Sequence, residues 1–240
     1  MASTRPQDLV FTLFGDFLLH RPGPVWVGSL IALLEPLGLS ATNVRTVLSR
    51  MAAKGWLESE REGRRSYYAL TVRGRRLLEE GETRIYRPRA GEEWDGEWTL
   101  LAYSIPEERR GLRDRLRVRL EWLGFGSLGN GLWLTPHDVT ARVFEIAEEL
   151  EVAEYVELFR GPHVGVSDTG ALVSQCWDLD SLNESYGRFI DRHLDASMAL
   201  KEEGPASVDP GVAYVRRFNL VHEFREFPLK DPFLPAALQP

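Results

Sequence analysis

The segment from residue 40 to residue 70 constrains the fold more than any other part of the chain. It opens on Ser40, a residue whose hydroxyl can accept an early backbone N–H at the start of a helix. In the helix that should follow, Val44, Val47, Leu48 and Met51 recur on one side, the spacing of a buried stripe. Thr42, Asn43, Arg45, Thr46, Ser49, Arg50 and Lys54 are left on the other. Then Trp56-Leu57-Glu58 and Ser66-Tyr67-Tyr68-Ala69-Leu70 flank Gly63-Arg64-Arg65, the pattern of a tight hairpin with a basic tip. A polar-faced helix followed by a basic hairpin predicts a winged helix-turn-helix, with one helix for the major groove and one wing for the phosphate backbone of double-stranded DNA.

The residues upstream fit that expectation. Leu9, Val10, Leu13, Phe14, Phe17 and Leu18 form one stripe on a helix over residues 6–20, with Pro6 in a first turn where a missing N–H costs nothing. Residues 25–27 can form a short strand, residues 28–35 a second helix, and Leu37-Gly38-Leu39 the turn before Ser40. On the exposed face, Asn43, Arg45, Thr46 and Ser49 are candidates for base edges. Arg50, Lys54, Arg64 and Arg65 are candidates for phosphates, and Thr42 and Tyr67 complete the candidate DNA-binding set. The plain alternative is a solvated helix face. Arg73, Arg75, Arg76 and Arg84 on a following helix, capped by Thr71, read as such a face.

The overall balance of charge, −7, looks unfavourable for nucleic acid until it is divided. Residues 1–90 hold 14 Lys and Arg against 9 Asp and Glu, a net +5, and residues 91–240 hold 15 against 27, a net −12. A basic head on an acidic body keeps non-specific binding low while leaving one end attractive to DNA. One cysteine, Cys176, excludes an intrachain disulfide. The N-terminus lacks the apolar region of a signal peptide, and no apolar run is long enough to span a membrane. A cytoplasmic protein is expected.

Residues 87–93 read as a linker. Beyond them come a strand at 98–104, a helix from Pro106 to Leu123, short strands at 125–128 and 132–135 around Gly129-Asn130-Gly131, a helix at 138–151 and a strand at 155–159. That order, βαββαβ, is ferredoxin-like. The last third reads as two helices, 179–194 and 212–227, joined through 204–211. The predicted class is therefore α+β, with a winged head at 1–86, a ferredoxin-like domain at 94–162 and a mainly helical domain at 170–240. Arg109, Arg110, Arg113, Arg115, Arg117 and Arg119 on the first central helix are either a solvated face with local acids or an anion site. The aromatic residues Trp177, Tyr186, Phe189, Tyr214, Phe218, Phe224 and Phe227 are either core or the lining of a pocket.

Enzyme chemistry finds little support. His20, His137, His163, His193 and His222 are scattered, with no metal-ligand spacing, and no Gly-x-Ser-x-Gly, Walker or dinucleotide fingerprint is present. No catalytic residue, metal site or catalytic cofactor is predicted.

Together, several stretches resemble the PaaX family of repressors of phenylacetate-degradation operons. They are Val44-Arg45-Thr46-Val47-Leu48-Ser49-Arg50-Met51, Gly55-Trp56-Leu57, Gly63-Arg64-Arg65-Ser66-Tyr67-Tyr68-Ala69-Leu70-Thr71, Tyr103-Ser104-Ile105-Pro106-Glu107, Leu123-Gly124-Phe125-Gly126, Val221-His222-Glu223-Phe224-Arg225-Glu226-Phe227-Pro228 and Asp231-Pro232-Phe233-Leu234-Pro235. The resemblance implies a homodimeric repressor that an aryl-acetyl coenzyme-A thioester, typically phenylacetyl-CoA, releases from its operator. Its central fold is similar to that of small CRISPR-adaptation nucleases, which makes a metal-dependent nuclease the rival expectation. Those nucleases carry an aspartate at the end of the first strand, where this chain has Ser104. The family pattern runs on past Asp231-Pro232-Phe233-Leu234-Pro235, whereas this chain stops at Pro240.

Overall fold

The computed structural model describes residues 5–86, 93–204 and 208–239. Apart from Glu93, the expected linker lies outside them, as do residues 205–207 of the expected 204–211 connection. The chain is α+β, with two antiparallel sheets. It divides into two compact units, residues 1–87 with 191–225 and residues 88–190 with 226–240. The residues expected as one C-terminal helical domain are therefore shared between both.

In the first unit, α1 (Pro6–Thr12) continues into a π-helical turn (Leu13–Leu18) where one regular helix was expected. The Thr12 hydroxyl bonds back to the Asp8 carbonyl at 3.0 Å, a contact that loosens the helical ladder. Next come β1 (Val25–Trp26), α2 (Val27–Leu34), α3 (Ala41–Ala53), the hairpin β2 (Leu57–Glu62) and β3 (Arg65–Leu70), and α4 (Val72–Tyr86). The three strands form one sheet in the order β1-β3-β2. Val10, Leu13, Phe14, Leu30, Leu34, Val44, Leu48, Met51 and Leu57 share a buried core with Phe218 from α9 (Pro210–Phe224).

Phe218 is 0% exposed. Its ring stacks on Phe17 at 5.6 Å, and Tyr214, one helical turn earlier, meets Phe17 edge-on at 5.6 Å. Polar contacts fix the register of α9. Tyr214 donates to the Leu33 carbonyl at 2.8 Å, Arg217 lies 3.4 Å from Asp16, and Arg225 donates to the Thr12 hydroxyl.

The second unit runs β4 (Glu97–Tyr103), α5 (Arg110–Trp122), β5 (Gly126–Gly129), β6 (Leu132–Thr135), α6 (Thr140–Glu149), β7 (Val156–Pro162) and α7 (Thr169–Cys176). Its sheet has the order β5-β6-β4-β7, every neighbouring pair antiparallel. Asn130 and Gly131 both have positive φ, 51° and 81°, as a two-residue hairpin turn between β5 and β6 requires. Side-chain alternation gives the sheet two buried faces. Leu101 and Trp133 pack with Leu116 and Leu120 of α5 and Val143 and Ile146 of α6. Trp98 and Leu134 pack on the other side with Leu172, Val173, Leu234 and Leu238. Helix α7, absent from the sequence expectation, supplies part of that second cover. Its N-terminus is capped by Asp168, which accepts from Ala171 N at 2.7 Å.

Helix α8 (Leu179–Glu203) is longer than expected, and the helix expected over 212–227 is broken into α9 and the short α10 (Phe227–Lys230). Pro228 enters at the first turn of α10 and cannot continue an earlier helix. The following Asp231 accepts from Tyr186 at 2.9 Å and from Phe233 N at 2.7 Å, and His137 Nε2 lies 3.0 Å from the Pro232 carbonyl. Among the described residues no single helix is long and apolar enough to cross a membrane.

Candidate nucleic-acid interface

The direction of the chain changes by 119° between the segment Val27–Leu37 and α3. Gly38 makes this turn possible with φ 88°, a conformation that costs glycine little. Ser40 then caps α3 as expected, its hydroxyl accepting from Asn43 N at 3.3 Å. Val44, Leu48 and Met51 anchor α3 in the core, with Val47 half-buried beside them. Thr42, Asn43, Arg45, Thr46, Ser49, Arg50 and Lys54 are all exposed on one continuous face. Thr46 spends its hydroxyl proton on the Thr42 carbonyl at 2.9 Å, which leaves its oxygen as an acceptor. Lys54 donates to Gln7 at 3.4 Å.

The hairpin is closed by Gly63 and Arg64 alone, because Glu62 and Arg65 are already paired across the strands. Gly63 has φ 58°, and positive φ at the first of two loop residues is the turn that matches strand twist. Thr71 ties the hairpin's end to α3's end. Its hydroxyl donates to the Gly55 carbonyl at 2.7 Å and accepts from Gly74 N at 3.0 Å. Gly74 is required here, since a Cβ would lie 2.0 Å from the Trp56 carbonyl oxygen.

Pairing distinguishes these arginines from several on α4 and α5. Among the described residues, the side chains of Arg45, Arg50, Arg61 and Arg64 make no ion pair or hydrogen bond. On and beside α5, by contrast, Arg109 meets Glu154, Arg110 meets Asp114, Arg113 meets Glu107 and Arg119 meets Glu149. Arg117 lies over the Trp133 ring at 6.0 Å, and neither it nor Arg115 meets a carboxylate among the described residues. The α4 arginines are braces. Arg73 bonds the Lys54 carbonyl and covers Trp56 at 5.2 Å, Arg75 bonds the Leu19 carbonyl at 2.8 Å, and Arg76 pairs with Glu80.

Arg65 and Tyr67 are placed differently from the other candidates. Arg65 is exposed at the base of the hairpin turn, but its guanidinium lies over the Trp26 ring at 5.4 Å. Tyr67 is half-buried and paired with Trp26 and Glu60.

The C-terminal aromatics make ring contacts, and Trp177 also lines open cavities beside Cys176 and Asp178. Tyr214 and Phe218 belong to the first unit's core, Tyr186 and Phe189 meet Phe227 at 4.4 and 5.2 Å, and Trp177 stacks on Trp98 at 6.4 Å. Burial pushes the Cys176 thiol up to about 11, an unreactive state for a thiol at neutral pH. Ser104 follows β4, and its backbone N–H donates to Tyr155 O at 2.9 Å. No group of three or more His, Cys, Asp and Glu could hold a metal ion among the described residues.

Three family models match in chain order: PaaX-like protein over residues 5–74, PaaX protein central Cas2-like domain over 91–173, and PaaX-like protein C-terminal domain over 177–240. The transcriptional repressor PaaX of Escherichia coli (strain K12) is 38% identical over 236 residues, which cover 97% of this chain and 73% of that protein. A solved structure, that of the uncharacterized protein Rv0674 from Mycobacterium tuberculosis, is similar with a TM-score of 0.59 and 26% identity. The match covers 97% of this chain and 85% of that one. These relationships define a transcription regulator and not an enzyme. The chain belongs to the PaaX family of transcriptional repressors.

Proposed function

We propose that this protein represses an aromatic-acid catabolic operon of the phenylacetate type by binding its operator as a homodimer in the cytoplasm, and that an aryl-acetyl-CoA thioester releases it. The observation that carries the DNA-binding part is the contrast in arginine pairing. Among the described residues, the Arg45, Arg50 and Arg64 guanidinium groups share one surface without an ion pair, while Arg110, Arg113 and Arg119 of α5 are each matched to a carboxylate. Unpaired exposed cations are the groups that release counterions on meeting phosphates.

On this reading α2, the Gly38 turn, α3 and the β2–β3 hairpin form a winged helix-turn-helix within residues 1–86. Asn43, Arg45, Thr46 and Ser49, with Thr42, face base edges, and Arg50, Lys54 and Arg64 hold phosphates. Arg65 and Tyr67 support the wing from beside Trp26. The β5-β6-β4-β7 order supports a ferredoxin-like reading of residues 94–162, with a mainly helical region at 170–240. The phenylacetate-type effector rests on the relationship to PaaX and on no site described above.

Selected-sequence and random duplexes, titrated over a range of salt, test this. Arg45→Ala should lose about 1–3 kcal/mol of discrimination between them. Arg64→Ala should weaken both alike and lower the salt slope by about 1. Unchanged behaviour in both variants removes the assignment. Calorimetry with phenylacetyl-CoA, CoA and phenylacetate tests release. Equal weak heats from all three, with the operator complex intact, reject the thioester as effector.

A further inference from the structure

The pleat of the β2–β3 hairpin sorts its charges onto two opposite faces, and only one of these lies on the side of α3. Successive residues of a strand point to opposite faces, and directly paired residues share one. Leu57 and Leu70 are paired, as are Ser59 with Tyr68 and Arg61 with Ser66. Leu57 is buried in the core that contains Val44, Leu48 and Met51 of α3, and Tyr68 and Leu70 pack against that core. Arg61 therefore continues the α3-side face outward, toward the tip, flanked by the hydroxyls of Ser59 and Ser66.

The other face has the opposite chemistry. Glu58 is paired with Ala69, Glu60 with Tyr67 and Glu62 with Arg65. Tyr67 is in turn paired with Trp26, which is 42% exposed and covered by the Arg65 guanidinium. Three carboxylates at alternate positions repel a phosphate backbone. The cation among them, Arg65, is held over an aromatic ring, where part of its charge is already engaged.

We infer that Arg61 is a phosphate-contacting residue of this wing, and that Arg65 is a positioning residue that braces β3 against Trp26 on the face turned away from DNA. This rests on the reading of the head as a DNA-binding module. Arg61 lies two residues from the turn, is exposed and makes no ion pair among the described residues. Arg64, in the turn beside it, is a second cation that makes no ion pair among the described residues. The Glu58, Glu60 and Glu62 face keeps the opposite side of the wing off the duplex, which gives the hairpin one orientation in which to lie along the backbone.

The full-length protein, as Arg61→Ala, Arg61→Lys, Arg65→Ala and Arg45→Ala variants, is titrated with its selected duplex and with an unrelated duplex across a salt series. Arg61→Ala should weaken both complexes alike and lower the salt slope by about 1, as expected for one lost phosphate contact. Arg61→Lys should restore the slope, and Arg65→Ala should leave it unchanged. A slope lost in Arg65→Ala but kept in Arg61→Ala, or lost equally in both, overturns the sorting of the faces. If Arg61→Ala is silent while Arg45→Ala still loses sequence discrimination, the inference fails and the DNA-binding reading stands. If Arg45→Ala is silent as well, both fail.

Discussion

Phe218 offers the sharpest test of how the first unit is built. It sits on α9, yet it is fully buried among α1, α2 and α3 side chains and stacks on Phe17 at 5.6 Å. Phe218→Ala removes a whole buried ring, loses its transfer free energy and opens a cavity. Such truncations cost about 3–5 kcal/mol, to which the lost ring pairs with Phe17 and Tyr214 add about 0.5–1.5 kcal/mol each. The lower figure alone should raise the opening constant of the unit roughly a hundredfold. Native-state hydrogen exchange reads this directly. Amides of α1 and α3 should lose protection in Phe218→Ala, and operator binding should weaken although no residue of the α3 face has changed. Amides of β4 and β6, in the other unit, serve as an internal reference. A protection loss in α1 and α3 worth less than about 1 kcal/mol would refute the claim that α9 completes this core.

Further consequences concern single groups. Ser40→Ala removes the cap on Asn43 N and should cost about 1 kcal/mol, seen as a lowered urea midpoint with unchanged m-value. Cys176, its thiol pushed up to about 11 by burial, should react with a disulfide reagent at pH 8 far more slowly in the native protein than in urea; equal rates would contradict the packing described. Burial also raises the Tyr214 phenol to about 12. The folded state therefore retains a proton that the unfolded chain releases near pH 10. The corresponding stability is fully present below pH 10 and drains away as pH rises toward 12. Tyr214→Phe should flatten that part of the alkaline stability profile, and an identical profile in the variant would show that the group does not contribute.

The parts of the fold that were legible in the sequence are those written in short-range chemistry. The Ser40 cap, the Gly38 turn, the hairpin turn at Gly63 and the Asn130-Gly131 hairpin each depend on residues within a few positions of one another, although Arg65, read as part of the first hairpin's turn, belongs to β3. The α3 face was legible because 3.6-residue periodicity separates Val44, Leu48 and Met51 from Arg45, Thr46 and Ser49. What escaped depends on distance along the chain. Nothing local marks Phe218 as the partner of Phe17, so the last third read as a body of its own. Helix α7 escaped because its eight residues carry only Leu172 and Val173 as buried anchors. The division of the hairpin's charges was available in principle, since period-2 alternation puts Arg61 and Arg65 on opposite faces. Reading the tip as one basic patch concealed it.

The position of α9 in the chain sets an order of events during synthesis. The side chains that close the core of residues 1–87 arrive with Tyr214, Phe218 and Arg225, well over a hundred residues after α4 has been made. At elongation rates of up to about 20 residues per second, the delay is on the order of 10 s. During that interval the nascent α3 has no finished platform. A chain that ends before α9 lacks Phe218 and leaves the core it packs against without that cover. A truncated head without α9 should therefore be less stable than the whole unit, as its loss of Phe218 predicts.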